Sequence, residues 1–84
     1  MHYVYLIRSL HHNWTYIGCT DNLRQRFKRH LNKEVRSTKY YAPFKLVYYE
    51  AYSSKIDARA REFKLKHHSQ TKELLMYSIK NSIS

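Results

Sequence analysis

In the segment TYIGCTDNLRQRFKRH, Thr15 to His30, a small polar stretch holding the chain's only glycine, Gly18, runs directly into Arg24, Arg26, Lys28, Arg29 and His30. Guanidinium groups grip phosphate oxygens through a planar fork of donors. An imidazole can take up or release a proton near neutral pH. This run can therefore hold a polyanion or act chemically on one. Two further residue types bear on the choice: tyrosines set in β-prone segments, and Glu62, a carboxylate that falls among the apolar positions of RAREFKLK. A charge next to buried surface is costly without a cation or donor beside it, so Glu62 calls for a reason.

These side chains are useful only if the elements around them bring them together. YVYLIRS (Tyr3 to Ser9) and TYIGC (Thr15 to Cys19) are rich in β-branched and aromatic residues and read as two strands joined by a hairpin. A turn centred on Leu10 and His11 sets Tyr5 opposite Tyr16 and Tyr3 opposite Gly18, with both phenols on one face. Thr20 or Asp21 is the expected cap of a helix beginning at Asn22 or Leu23. At about 100° per residue, Leu23, Phe27 and Leu31 form its apolar stripe, and Arg26 and His30 lie one turn apart beside it. Arg24, Lys28 and Arg29 spread over the other side, as a general phosphate-facing surface.

After the polar segment RSTKYYAP, FKLVYYEAY is a third strand entered through Pro43. Ser54 and Asp57 resemble a capping box that opens a second helix, running to about His67. Its apolar residues fall in two seams, Ile56, Ala60 and Phe63 on one and Ala58 and Leu65 on the other, with Glu62 beside the latter. Ser69 is the expected cap of a last helix with Leu75, Ile79 and Ile83 at every fourth position. The order ββαβαα predicts an α+β fold, a small three-stranded antiparallel sheet flanked by helices.

Eighty-four residues read as a single domain, 1–84. A chain of this size buries about 60 to 65% of its unfolded surface, so a shallow groove for a macromolecule is expected rather than a deep pocket. Lys and Arg outnumber Asp and Glu by 16 to 6, for a net charge of +10, and nine tyrosines are interleaved with that charge. The combination suits nucleic acid, where cations displace counterions from phosphates and rings stack on bases. Cys19 is the only cysteine, which excludes an internal disulfide and a thiol-paired zinc site. His11, His12, His67 and His68 form adjacent pairs that do not face one another in a regular element. With no apolar run long enough for a span and no signal-peptide pattern, the expected location is cytoplasmic, away from membranes.

YVY at Tyr3 to Tyr5, YIG at Tyr16 to Gly18, LRQRFKRH at Leu23 to His30 and RAREFKLK at Arg59 to Lys66 together resemble the successive motifs of the GIY-YIG nuclease superfamily, in particular its short stand-alone members. TKYYAPFKLVYYE is also typical of these. The resemblance implies a metal-dependent endonuclease that hydrolyses the DNA backbone, structure-directed or weakly sequence-specific, in repair or recombination. It implies catalytic roles for Tyr5, Tyr16, Arg26, His30 and Glu62, with Glu62 binding one Mg²⁺ or Mn²⁺ and no small-molecule cofactor. Asn81 is the nearest match to an asparagine found late in the domain. Tyr3 stands where the first motif has its glycine, and the loop after His30 lacks the asparagine and glycine often found there. Without an appended recognition domain, specificity would be low or supplied by a protein partner.

Phosphodiester hydrolysis needs an activated water, neutralised phosphoryl oxygens and help for the departing oxygen. A phenol with a pKa of about 10 is a weak base at neutral pH unless cations favour its phenolate, and Arg26, His30 and a metal are the expected cations. Tyr5 would then accept the water's proton directly or through His30, with Tyr16 in the same hydrogen-bond network and Arg26 on the phosphate. Lys39, Tyr40 and Tyr41, in RSTKYY, belong either to a loop that contacts DNA, the rings stacking on bases, or to an ordinary surface connection. Structural readings stand beside these: packed strand aromatics, Arg26 as one phosphate contact among many, Glu62 paired with Arg59 or Lys66, and Gly18 as a turn or close-approach residue. A non-catalytic nucleic-acid-binding module of the same fold is the alternative function.

Overall fold

The computed structural model describes residues 1–83. Three strands, β1 (His2–Ser9), β2 (Thr15–Thr20) and β3 (Phe44–Tyr52), form an antiparallel sheet in the order β2-β1-β3. The helices are α1 (Leu23–Leu31), α2 (Lys55–His67), α3 (Ser69–Ser78) and the short α4 (Lys80–Ile83), with a 3-10 turn at Lys39–Tyr41. The expected ββαβαα arrangement is therefore present. β1 is central and buried on both faces, which is why its apolar run is continuous rather than alternating. Val4 and Leu6 pack with Ile17, Ala58, Leu65 and Leu75 beneath α2 and α3. Tyr5 and Ile7 pack on the other face with Phe44, Trp14, Tyr16, Leu23 and Phe27, beneath α1.

The hairpin differs from expectation. Tyr5 faces Gly18, Tyr16 faces Ile7, and Tyr3 faces Thr20. The turn centres on His11 and His12 because Ser9 organises it: its Oγ accepts from the backbone N–H of both, at 3.3 and 3.1 Å, and its own N–H bonds Trp14 O. The offset is two residues, which preserves facing, so both tyrosines remain on one side of the sheet. Between β1 and β3 the register shifts at Leu6/Ile7, which pair with Tyr48 and Leu46 and leave Val47 as the extra residue. This bulge puts Leu46 and Tyr49, three apart in sequence, on the α1 side together.

Helix ends also need correction. Asn22, rather than Thr20 or Asp21, caps α1 by accepting from Gln25 N–H at 3.1 Å, while Thr20 Oγ1 accepts from Asn22 N–H. Lys33, at φ 61°, closes α1 in a Schellman arrangement, with Lys33 N–H on His30 O and Glu34 N–H on Arg29 O. The loop thus makes the glycine-type turn with a lysine. Ser54 caps α2 as expected. His68 precedes α3 without a side-chain cap bond, so Ser69 is the first helical residue and not its cap, and the helix breaks at Ile79.

Only one seam of α2 is buried. Ala58 and Leu65 face the sheet, whereas Ile56 is 80% and Phe63 58% exposed, because α3 packs beside α2 without covering that side. Leu31, at the end of the α1 stripe, is also exposed. Glu50, Tyr48 and Tyr52 share one face of β3, where both phenols donate to the Glu50 carboxylate and Arg61 grips it through Nε and Nη2 at 2.9 Å each. This network ties α2 to the sheet.

Candidate active site

Tyr5 and His30 form the centre of the cluster. His30 lies on the sheet-facing side of α1 and is fully buried, with Nε2 2.8 Å from the Tyr5 hydroxyl. Its Nδ1 is 2.8 Å from Thr38 Oγ1, and the Thr38 hydroxyl in turn donates to Val35 O at 3.4 Å. That assignment defines the tautomer: Thr38 accepts from Nδ1–H, and the bare Nε2 accepts from the phenol. Tyr16 packs on both, with ring centroids 6.5 Å from Tyr5 and 5.4 Å from His30.

The electrostatics correct one expectation. Burial, reinforced by the charges of Arg26 and Arg29, pushes the His30 imidazole down from 6.5 to about 4. At neutral pH it is an uncharged acceptor and not one of the cations expected to favour a phenolate. Burial pushes the Tyr5 phenol up to about 12, while the positive charge of the Arg26 guanidinium pulls the other way and the nearby Tyr16 and Glu62 add to the rise. Desolvation outweighs the single arginine.

Glu62 reaches this cluster from α2. Its carboxylate, largely buried, pairs with Lys66 Nζ at 3.1 Å, and the same ammonium lies 5.3 Å from the centroid of the Tyr16 ring. Of the two structural partners considered, Lys66 is the one found. Arg26 and Arg29 of α1 and Lys55 and Arg59 of α2 line a groove of about 330 Å³ at the β2 edge. A shallow cationic groove of this kind matches the expectation from chain size. Among the described residues, no three His, Cys, Asp or Glu side chains gather as a metal cage. A lone, half-enclosed carboxylate is a donor set that fits a hard divalent ion keeping most of its shell for water and substrate oxygens.

Gly18 neither turns the chain nor admits a backbone. A Cβ there would overlap the Tyr5 ring, so the glycine makes room for that phenol. Arg24 and Arg29 lie on opposite sides of α1, and Lys28 on the same helix is exposed. In the 3-10 turn, Tyr40 is 78% exposed with Lys39 Nζ over its ring. Tyr41 is half-buried, and one face of its ring stacks on Trp14 at 4.0 Å and 13°. Asn81 is on α4, which packs on α3 and β3, the sheet edge away from β2, so the structure does not bring it to the other five.

Sequence reasoning missed Thr38, Trp14 and Lys55 as members of the site, and considered Lys66 and Arg59 only as structural ion-pair partners of Glu62. Trp14 had a signal, being two residues before Tyr16 and hence on its face. Lys66 also had one, being one helical turn from Glu62. Thr38 had none, because its burial depends on a loop folding over α1.

Comparison with known proteins bears on the family and the fold. The model of the GIY-YIG catalytic domain matches residues 1–74. A UPF0213 protein of Clostridium perfringens is 34% identical, covering 96% of this chain and 87% of that protein. Another from Staphylococcus haemolyticus is 38% identical over 89% and 92%. The solution NMR structure of the UPF0213 protein from Bacillus halodurans superimposes with a TM-score of 0.57 at 32% identity, over 94% of this chain and 84% of that one. The chain belongs to the GIY-YIG nuclease family.

Proposed function

We propose, from its place in the GIY-YIG family, that the protein is a divalent-metal-dependent endonuclease acting on DNA in the cytoplasm, structure-directed or weakly sequence-specific, in repair or recombination. The observation that carries this reading is the Tyr5–His30 hydrogen bond, with the charges of Arg26 and Glu62 both close enough to act on that phenol. A nucleic-acid binder needs the charge but not a buried phenol–imidazole pair.

Tyr5 is a phenol at neutral pH and His30 an uncharged base. A water attacking phosphorus can therefore pass its proton to the Tyr5 oxygen as the phenol's own proton moves to Nε2. Thr38 holds Nδ1–H and stabilises the imidazolium formed. Tyr16 completes the phenol pair around that water. Arg26 holds the scissile phosphate, and Arg29, Lys55 and Arg59 guide the backbone into the groove. Glu62 would hold the Mg²⁺ or Mn²⁺ ion, which supplies Lewis-acid stabilisation of the phosphate and leaving oxygen. That ion would compete with the Lys66 ammonium, which bonds Oε2, for the Glu62 carboxylate. Low intrinsic specificity leaves room for a protein partner to select the substrate.

The Lys66–Glu62 pair is the feature that favours the alternative, a DNA-binding module without catalysis, since it neutralises the carboxylate internally. Supercoiled, branched and single-stranded DNA incubated with Mg²⁺, Mn²⁺ or chelator separates the two. Metal-dependent cleavage is expected for the wild type, with losses of about a hundredfold or more in Arg26→Ala and Glu62→Ala. Wild type and variants that are equally inactive, yet bind DNA with a steep salt dependence, would establish the binding module instead.

A further inference from the structure

A second groove, of about 480 Å³, opens on the sheet face beneath α1, on the opposite side of that helix from the cationic groove. Leu23, Phe27 and Leu46 form its apolar wall, and Arg24 stands among its lining residues. Tyr3 and Tyr49 meet edge to face in it, with ring centroids 6.0 Å apart at 67°, and Tyr49 is 54% exposed. The β-bulge at Leu6/Ile7 makes this possible, by turning Tyr49 to the same face as Leu46. Asp21 and Asn22 line both grooves, so the two meet around the N-terminal end of α1.

We infer that this groove binds an unpaired base of a DNA strand whose neighbouring phosphate lies in the cationic groove. The inference rests on DNA being the substrate and deepens that reading by naming the kind of DNA. An exposed phenol face offers a stacking surface to any base. Arg24 offers a guanidinium fork to the next phosphate along the strand. The Asp21 carboxylate can accept from an exocyclic amino group on the base edge. Bases within an intact duplex are already stacked and reach such a site only at the expense of unpairing. The groove therefore favours overhangs, flaps and frayed ends.

The test is equilibrium binding of the full chain in chelator, where no hydrolysis occurs, to a duplex with a single-stranded overhang and to a blunt duplex of equal charge, over a range of salt. Tyr49→Ala is expected to weaken overhang binding about tenfold or more and blunt-duplex binding by less than about twofold. Tyr49→Trp should retain the preference, which controls for misfolding. Arg24→Ala should reduce the salt slope for the overhang by about 0.7. Equal losses on both DNAs, or no loss on either, overturn the inference. So does a change in molecular mass in solution on Tyr49→Ala, since that would make the groove a contact between copies of the chain. A wild type that cuts DNA while Tyr49→Ala binds normally defeats only the groove. A wild type that prefers overhangs but never cuts defeats only the nuclease.

Discussion

The ring of Tyr5 lies in the space that a side chain on Gly18 would fill, directly across the β1–β2 ladder. Tyr5 cannot yield that space cheaply, because it is buried and its hydroxyl is bonded to His30. Gly18→Ala is therefore expected to destabilise the fold by about 1–3 kcal/mol through overpacking. It should also displace the phenol from Nε2. Thermal unfolding together with the His30 ring resonances checks both, and an unchanged melting temperature with unchanged resonances would contradict the assignment.

His30 makes stability depend on acid. Its folded pKa, about 4, lies below the unfolded value of 6.5, so the unfolded chain takes up the proton first as pH falls. The contribution is fully present above about pH 6.5 and is lost progressively toward pH 4, reaching roughly 3 kcal/mol. NMR titration of the imidazole should give a midpoint far below the ordinary value. A midpoint near 6.5 would mean that the ring is solvated and would remove the uncharged acceptor from the proposed relay.

Thr38 controls which nitrogen of His30 carries the proton. Thr38→Val keeps the shape but strands Nδ1–H, with an expected loss of about 1–3 kcal/mol. Part of the population then adopts the other tautomer and donates toward Tyr5 instead of accepting from it. Cleavage should fall between about tenfold and a hundredfold, with Thr38→Ser close to wild type. Nitrogen-15 shifts of the His30 ring distinguish this from a merely structural effect. If the tautomer is unchanged in Thr38→Val, the positioning role is wrong.

Glu50 anchors α2 away from the catalytic face. Burial pushes its carboxyl up, but the bonds from Arg61, Tyr48 and Tyr52 together pull it below its ordinary value. Glu50→Gln leaves Arg61 without its charge partner and is expected to cost about 2 kcal/mol in urea denaturation, discounted for partial exposure. In the wild type this contribution is present above pH 4.5 and is lost as the pH falls through the lowered folded value. A Glu50→Gln protein as stable as wild type at pH 7 would show the network to be energetically neutral.

Lys33 occupies a left-handed conformation that glycine adopts without a Cβ penalty. Lys33→Gly should stabilise the protein by about 1 kcal/mol, the relief outweighing the greater flexibility of the unfolded chain. A rise in melting temperature checks this, and a fall would mean that the lysine makes a compensating contact.

Much of the fold was legible in the sequence, because periodicity reports which side of its own element a residue occupies. The placement of both tyrosines on one face survived a two-residue error in register, since facing depends only on parity. Arg26 and His30 turn together toward the sheet because four residues make about one helical turn. What each side meets is decided by distant parts of the chain. Ile56 and Phe63 have the pattern of a buried seam but face outward, because no element among the described residues covers them. Tyr41 has the composition of a DNA-stacking residue but lies on Trp14. His30 looks like a cation in LRQRFKRH, yet β1 and Thr38 enclose it and desolvation removes its charge. The sequence determined the kinds of groups and their local facing. Tertiary packing decided their neighbours and, through the dielectric those neighbours impose, their protonation.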